Sequence, residues 1–565
     1  MPFKLTTLLI AFVALLTACT NQQAPDLVLL NGKVWTGEND DVFEEAIAIK
    51  ANKIVAVGKS DDIKKLASSK TEVIDLKGKL VTAGFNDAHT HFLSGSLGLA
   101  EVNLLGTNTP GEVADRVNQF IKTNPTKEWI TGRGWQYTSF KNGLPNSESL
   151  SSISNGVAVF IKAYDGHSAW ANKKALQLAG IDRNTKYNGF GEIVLGKNGE
   201  PTGTLRESAM GFVSKHIPEP TKTEKLNALR TGMKLAASLG ITSVQNANGT
   251  SEDLNLYKEL LNNGELTIRY AASFSADETT TEKDIALFTK LKDSVGFNNP
   301  MLRADAIKFM IDGVIESHTA YMIEPYVDIP ASDPLARGQV AVPLEKYREL
   351  VSAFDKNGFR IYTHAIGDLG VRESLNAYEN AAKVNGKRDA RHRVEHIETV
   401  SPDDIPRFAQ LNVMPSMEPI HADPATIDVW AKAIGEQRLP WSFAWNEMLK
   451  QNGHLVYSSD WPACIDINPI RGIHVAVTRR TPDGFPEGGW IVEQKISIAQ
   501  AMKAYTSAGA FSSFEENLKG KIKIDQLADV IVFSQDLFTI DPMLTSKTNV
   551  VLTVFDGKII YKALD

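Results

Sequence analysis

The chain has 565 residues, of which 43% are hydrophobic and 22% charged; this suits one large globular domain with an accessory one and excludes a small stapled fold or bulk disorder. The formal net charge is −7 and there is no long basic block, so the chain carries no electrostatic footprint for nucleic acid. Two cysteines in the whole chain leave stability to the core rather than to disulfides.

The first stretch, "MPFKLTTLLIAFVALLTAC", reads as a targeting segment. Lys4 supplies a positive start, and Leu5 to Leu16 form an apolar run too short to span a bilayer comfortably. The closing "LTAC" resembles the lipobox of bacterial lipoproteins, in which the cysteine becomes the lipidated first residue; a plain secretory signal is the alternative. On the lipoprotein reading, residues 1–18 are the signal peptide, Cys19 is the lipidated N-terminus and residues 19–26 are a tether. Thr20 stands where aspartate commonly marks inner-membrane retention, which favours the periplasmic face of the outer membrane. The membrane is then a partner through the anchor, and Cys464 is a lone thiol read as a small packing residue.

Residues 27–80 read as short strands broken by turns ("DLVLLNGKVWTG", "EEAIAIKANKIVAVG", "TEVIDLKGKLV"), and residues 511–565 have the same texture ("GKIKIDQLADVIVFSQD", "NVVLTVFDGKIIYK"). The two ends are expected to meet in one small composite β-sandwich. Between them, residues 81–510 carry eight apolar, β-rich runs: "KLVTAGFNDAHTH", "GITSVQNA", "TIRYAASFS", "ADAIKFMIDG", "FRIYTHAIGD", "HRVEHIETV", "NVMPSMEP" and "HLVYSSDWP". Helical patterns such as "TEKLNALRTGMKLAASLG" and "LEKYRELVSAFDKNG" separate most of them. Strand alternating with helix eight times is the pattern of an α/β chain folded as a (β/α)8 TIM-like barrel. A large insertion after the first run, about residues 100–210, is expected to form a lid or subdomain over the barrel mouth.

Polar residues fall at the ends of these runs. His89 and His91 share a strand face at the end of the first, spaced to hold one cation. His364 closes the fifth run, His396 the sixth and Asp460 the eighth, at the barrel end where such folds keep their chemistry. Imidazoles with a carboxylate suit a borderline divalent metal such as zinc. Lys308 sits inside the apolar fourth run, where a buried ammonium needs a partner or a change of charge. Either it pairs with Asp305 or Asp312, or it is carbamylated by CO2 to an anion able to bridge two metals. Glu395 neighbours His396, so strand alternation sends it to the other face.

The set resembles the metal-dependent amidohydrolase superfamily: HxH on strand one, lysine on strand four, histidines on strands five and six, aspartate on strand eight. The wording "GFNDAHTH", "GHSAWANKKALQLAGI", "GEPTGTLRE", "IKFMIDG", "HAIGD", "RVEHIE", "YSSDWP" and "LADVIVF" is similar to the YtcJ-like branch, which includes N-substituted formamide deformylase. Departures occur at Ala83, Asn86, Asn246 and "DGVIESHTA"; none removes a ligand, and the last two are expected to change what the pocket accepts.

The resemblance implies that His89, His91 and Asp460 hold one metal and His364 and His396 a second. Carbamylated Lys308 (N6-carboxylysine) would bridge the two ions, most simply zinc. Asp460 would take a proton from water and give it to the leaving nitrogen of a small-molecule amide. A mononuclear site with an ordinary Lys308 ammonium is the alternative, as is a binding or regulatory lipoprotein without turnover. Substrate contacts are expected from His167 and Trp170 in the insertion and from His318 and His421 beyond strand ends, with Trp461 near the mouth; "WQY" at 135–137 is either aromatic wall or core.

Overall fold

The computed structural model describes residues 24–140, 144–146, 156–163, 168–187, 192–424, 427–451, 453–463 and 466–564. The signal segment with Cys19, and also His167 and Cys464, lie outside the described residues. Among those described, no helix is long and apolar enough to cross a membrane.

Eight parallel strands follow one another around a nearly closed barrel: β1 (Phe85–Thr90), β2 (Ile241–Asn246), β3 (Arg269–Ser275), β4 (Leu302–Met310), β5 (Arg360–Ala365), β6 (Arg393–His396), β7 (Met414–Met417) and β8 (Val456–Tyr457). All eight apolar runs supply a strand, because a parallel sheet walled by helices is buried on both faces and so reads as continuous hydrophobic sequence. The two quoted helical patterns form helices Lys222–Ser238 and Leu344–Lys356. The first of them opens with a reciprocal Thr221–Glu224 capping box. Between β8 and β1 the backbone closes the ring through Asp460 N to His89 O (2.8 Å) and His91 N to Trp461 O (2.7 Å).

The run "KLVTAGFNDAHTH" is not one strand. Leu80–Ala83 pairs with Lys33–Trp35 and with Val530–Phe533, whereas the barrel begins at Phe85. Gly84 is the break: a Cβ there would lie 2.3 Å from Thr242 Oγ1, so only glycine lets the chain pass this close to β2. Leu80–Ala83 thus sits in a six-stranded sheet with Lys33–Trp35 and Phe43–Glu44 from the start of the chain and Val530–Phe533, Val550–Phe555 and Lys558–Lys562 from its end. A four-stranded sheet (Leu27–Leu30, Ala46–Lys50, Lys53–Gly58, Glu72–Asp75) shares an apolar cluster with it, including Leu29, Ile47, Val81, Ile522, Val530 and Leu552.

Between β1 and β2 lies a second six-stranded sheet running from Val102–Asn103 to Pro201–Arg206, backed by helix Pro110–Thr123. Trp135 and Trp170 are buried in its core with Val113 and Ile161, so both indoles serve as packing there. Arg133 Nη1 donates to Pro462 O (3.1 Å), which ties this subdomain to the chain two residues beyond Asp460.

The barrel and the terminal sheet are joined by a buried pair: Arg269 Nε and Nη2 donate to Asp529 Oδ2 and Oδ1 at 2.6 and 2.8 Å. Arg269 Nη2 also reaches the more exposed Asp556 Oδ1 (3.0 Å), so removing Asp529 leaves the buried guanidinium only that one carboxylate. Asp529→Ala is expected to cost about 3 kcal/mol, read as a fall in the urea midpoint, with part of the loss recovered when Arg269→Met is added. An unchanged midpoint in the single variant would show that the pair does not fasten the two parts.

Candidate metal centre

The inward residues at the C-terminal end of the barrel form one buried polar cluster. His89 and His91, two apart on and just past β1, both face Asp460 Oδ1, with Nε2 at 3.4 and 3.1 Å. The His396 ring lies 4.9 Å from that of His89 and 4.4 Å from that of His364, centroid to centroid. His421, just beyond β7, stacks parallel to His396 at 5.7 Å and sets its Nε2 3.6 Å from Asp460 Oδ2. The structure therefore brings together the five histidine and aspartate positions read from the sequence as metal ligands, and sets beside them His421, which was expected as a substrate contact.

Each ring is oriented by a partner on its other nitrogen. His89 Nδ1 donates to Glu395 Oε2 (2.7 Å), His91 Nδ1 to Asn248 Oδ1 (2.5 Å), His396 Nδ1 to Glu418 Oε2 (2.9 Å) and His421 Nδ1 to Glu398 Oε1 (3.1 Å). Glu398 also accepts from Trp430 Nε1 (2.9 Å), and Glu418 from Ser458 Oγ (2.8 Å). This turns Nε2 of His89, His91, His396 and His421 toward a common centre at Asp460. His364 is turned the other way: its Nε2 donates to Gly313 O (3.2 Å), which leaves Nδ1 as its lone-pair atom.

Electrostatics follow from burial and partners. Burial pushes His364 and His396 well below the usual imidazole range, with neighbouring positive groups adding to it, so both rings are neutral. Burial and Lys308 oppose charge on His89, yet Glu395 and Asp460 hold its pKa up at about 9. Burial also opposes the Asp460 carboxylate, but His89 and His91 keep it well below the usual range. His89 Nε2, His396 Nε2 and Asp460 Oδ1 are buried without a hydrogen-bond partner. One ligand atom from each of these residues lies within 4.8 Å of those of the other two. Three ligand-type atoms without hydrogen-bond partners converging in a buried site fit a divalent cation, which would take the place of the proton that Glu395 and Asp460 otherwise hold on His89.

Lys308 is buried and faces the same cluster; burial lowers its pKa, against the opposing pull of Glu395, Asp460 and Glu418. Neither aspartate expected as its partner fills that role. Asp305 is taken by Arg303 (2.6 Å) and Arg360 (2.8 Å), and Asp312 accepts the backbone N–H groups of Tyr321, Ile366 and Gly367. Among the described residues no carboxylate lies within ion-pair distance of Lys308.

The expectation that Glu395 faces away from the site is wrong. Arg393 and Glu395 are the inward residues of β6, Arg393 lying over the Tyr362 ring (3.6 Å) and bonding Ala88 O (2.7 Å). His396 joins them because its backbone is left-handed, φ +73°, which breaks the alternation at the strand end. Glu418 and Glu398 were missed too, although Glu418 closes the seventh run as the ligand-type residues close theirs. Elsewhere, His318 Nε2 holds Asp328 at 2.9 and 3.0 Å in the loop after β4. Trp461 is buried with its ring against Gly95 and Phe92.

If Glu418 fixes His396 for a cation, Glu418→Gln should weaken divalent-metal affinity about 10- to 100-fold while the thermal midpoint moves little. Competition against a chromophoric chelator measures this, and equal affinity in the two proteins would reduce Glu418 to packing.

Residues 72–561 match the profile described as Amidohydrolase family. "Protein LONG AFTER FAR-RED 3" of Arabidopsis thaliana is 32% identical over 551 residues, covering 95% of this chain and 91% of that protein. YtcJ of Bacillus subtilis, named as an amidohydrolase, is 27% identical over 94% of this chain and 98% of its own. The N-substituted formamide deformylase of Arthrobacter pascens is 23% identical over 96% and 99%. Among solved structures, an uncharacterized metal-dependent hydrolase from Pyrococcus horikoshii shares the fold with a TM-score of 0.74 at 24% identity, over 91% of this chain and 99% of that one.

Proposed function

Because the chain belongs to the amidohydrolase family, in its YtcJ-like branch, and is a metal-dependent hydrolase acting on carbon–nitrogen bonds other than peptide bonds, we propose that it hydrolyses a small-molecule amide at the cluster around Asp460. The observation that carries this reading is the convergence of His89 Nε2, His396 Nε2 and Asp460 Oδ1, all buried and none meeting hydrogen-bond geometry, with His91 Nε2 3.1 Å from the same carboxylate oxygen. His89, His91 and Asp460 would hold one divalent ion, and His364 and His396 a second, zinc suiting both sets. When bound, such ions polarise a carbonyl oxygen and let water lose its proton near neutral pH.

The chain's own residues do the rest. Asp460 accepts the proton of the attacking water and delivers it to the amide nitrogen as the C–N bond breaks, which yields a carboxylic acid and an amine. His421, oriented by Glu398, stands 3.6 Å from Asp460 Oδ2 and steadies that carboxylate. Glu395, Glu418 and Asn248 keep the rings in place. Lys308, buried without an ion-pair partner among the described residues, has its pKa lowered by burial; its deprotonated amine would add to CO2, forming an N–C bond and releasing a proton. The resulting carbamate would replace a buried ammonium with an anion able to help hold divalent metal.

Protein purified with zinc and bicarbonate is expected to retain about two metal ions per chain and to turn over members of an amide panel. Asp460→Asn should lose about 10²- to 10⁴-fold in kcat while folding normally. Lys308→Ala should retain less metal, with partial recovery on adding a short carboxylic acid. Protein that holds no metal and cleaves no amide would sink the proposal in favour of a binding or regulatory role.

The same reading includes the cell envelope. The "LTAC" ending at Cys19 supports a lipid-anchored protein on the periplasmic face of the outer membrane, with the membrane as partner through its acyl chains alone. Metabolic labelling with palmitate should mark the wild type and not Cys19→Ser; equal labelling would refute the anchor.

A further inference from the structure

Met310 is a large apolar side chain left 51% exposed between two residues, Phe309 and Ile311, that are wholly buried. Its direction follows from β4. Phe309 packs outward, edge-on to Tyr347 at 5.3 Å and near Phe354 at 6.2 Å on the covering helix. Alternation therefore turns Lys308 and Met310 inward, and the ladder is regular here: Lys308 pairs with Tyr362 and Met310 with His364. Met310 thus stands beside His364, one layer above Lys308 toward the open end of the barrel. An inward side chain that is still exposed at this end opens onto the space a substrate must occupy.

We infer that Met310 is a specificity-determining residue that receives the hydrocarbon chain on the acyl side of the amide. This rests on the amide-hydrolase reading above. With strands in sequential order around the ring, β4 lies opposite β8, and the proton donor Asp460 stands at the end of β8. The nitrogen that receives that proton must face β8, so the acyl substituent points across the centre to β4. An unbranched thioether covers apolar chains of varied shape and offers nothing to a charged group. The pocket is therefore built for acyl groups longer than formyl.

The test uses the zinc-loaded full chain and two series of amides. In one the amine is benzylamine and the acyl group lengthens from formyl to hexanoyl; in the other the acyl group is fixed and the amine lengthens. The wild type should show kcat/KM rising with acyl length. Met310→Ser should cut the hexanoyl-to-formyl ratio about tenfold, mainly through KM, and Met310→Leu should keep most of it. A parallel series of linear alkyl hydroxamic acids, followed by calorimetry, should gain affinity with length in the wild type and lose that gain in Met310→Ser. An unchanged ratio in the variant, or a response confined to the amine series, overturns the assignment. Absence of amide turnover with the hydroxamate gain intact refutes the reaction and leaves the apolar subsite standing; loss of both refutes both.

Discussion

The seam between β1 and β8 is the constraint on which the rest of the structure turns. These two strands share no regular ladder; the residues that present ligands close the ring with their own backbones, Asp460 N to His89 O and His91 N to Trp461 O. One carboxylate adds to the join: Asp87 accepts from Ser459 N at 3.0 Å and Ser459 Oγ at 2.5 Å. Burial pushes the Asp87 carboxyl up to about 7, against the pull of the Ser459 hydrogen bonds. Asp460 follows immediately in a left-handed conformation, φ +52°, which strand geometry alone would not favour. Closing the barrel and aiming the ligands are therefore one structural act, and strain at Asp460 is sustained by the same bonds that complete the fold.

Around that seam the cost of burying charge decides which groups are ionised. Glu395 and Glu418 each hold a histidine, yet they behave oppositely. Burial raises both, but Glu395 has the Arg393 guanidinium at 2.7 Å and falls well below the usual range, whereas Glu418, helped by no guanidinium, is pushed up to about 7. The cluster thus contains more acceptors than the protein's own cations can satisfy. A divalent ion supplies the missing charge, so ion binding and the stability of this end of the barrel are thermodynamically coupled.

Much of this was legible in the sequence for a physical reason. Strands buried on both faces leave no ordinary place for a polar side chain, so His89, His364, His396 and Asp460 stood out at the ends of apolar runs, and Lys308 inside one. What escaped depended on local backbone or on distant contacts. Glu395 was assigned to the wrong face because alternation was anchored on His396, whose positive φ invalidates it. The run before His89 hid a change of sheet at Gly84, which only the approach of Thr242 reveals. Asp305 and Asp312 were near Lys308 in sequence, but their partners come from β4 itself (Arg303), from β5, from the loop beyond it and from the loop after β4. Trp170 was indistinguishable from a pocket aromatic until the insertion's own core was visible.

The loop after β4 shows why substrate choice and metal geometry are not separable here. It carries "DGVIESHTA", one of the stretches that depart from the family wording, and its Gly313 carbonyl fixes the His364 ring through Nε2. Gly313 is itself pressed against Thr319, whose carbonyl accepts its N–H at 3.1 Å. Asp312 binds the backbone of this loop at Tyr321 and of the β5 loop at Ile366 and Gly367. One carboxylate therefore staples the loop after β4, which follows Met310 and carries His318, to the loop after β5, which follows His364. A change that reshapes the pocket through this loop also moves the carbonyl that orients His364, so in this chain substrate fit and the His364 ring are coupled through the Asp312 staple and the Gly313–Thr319 contact.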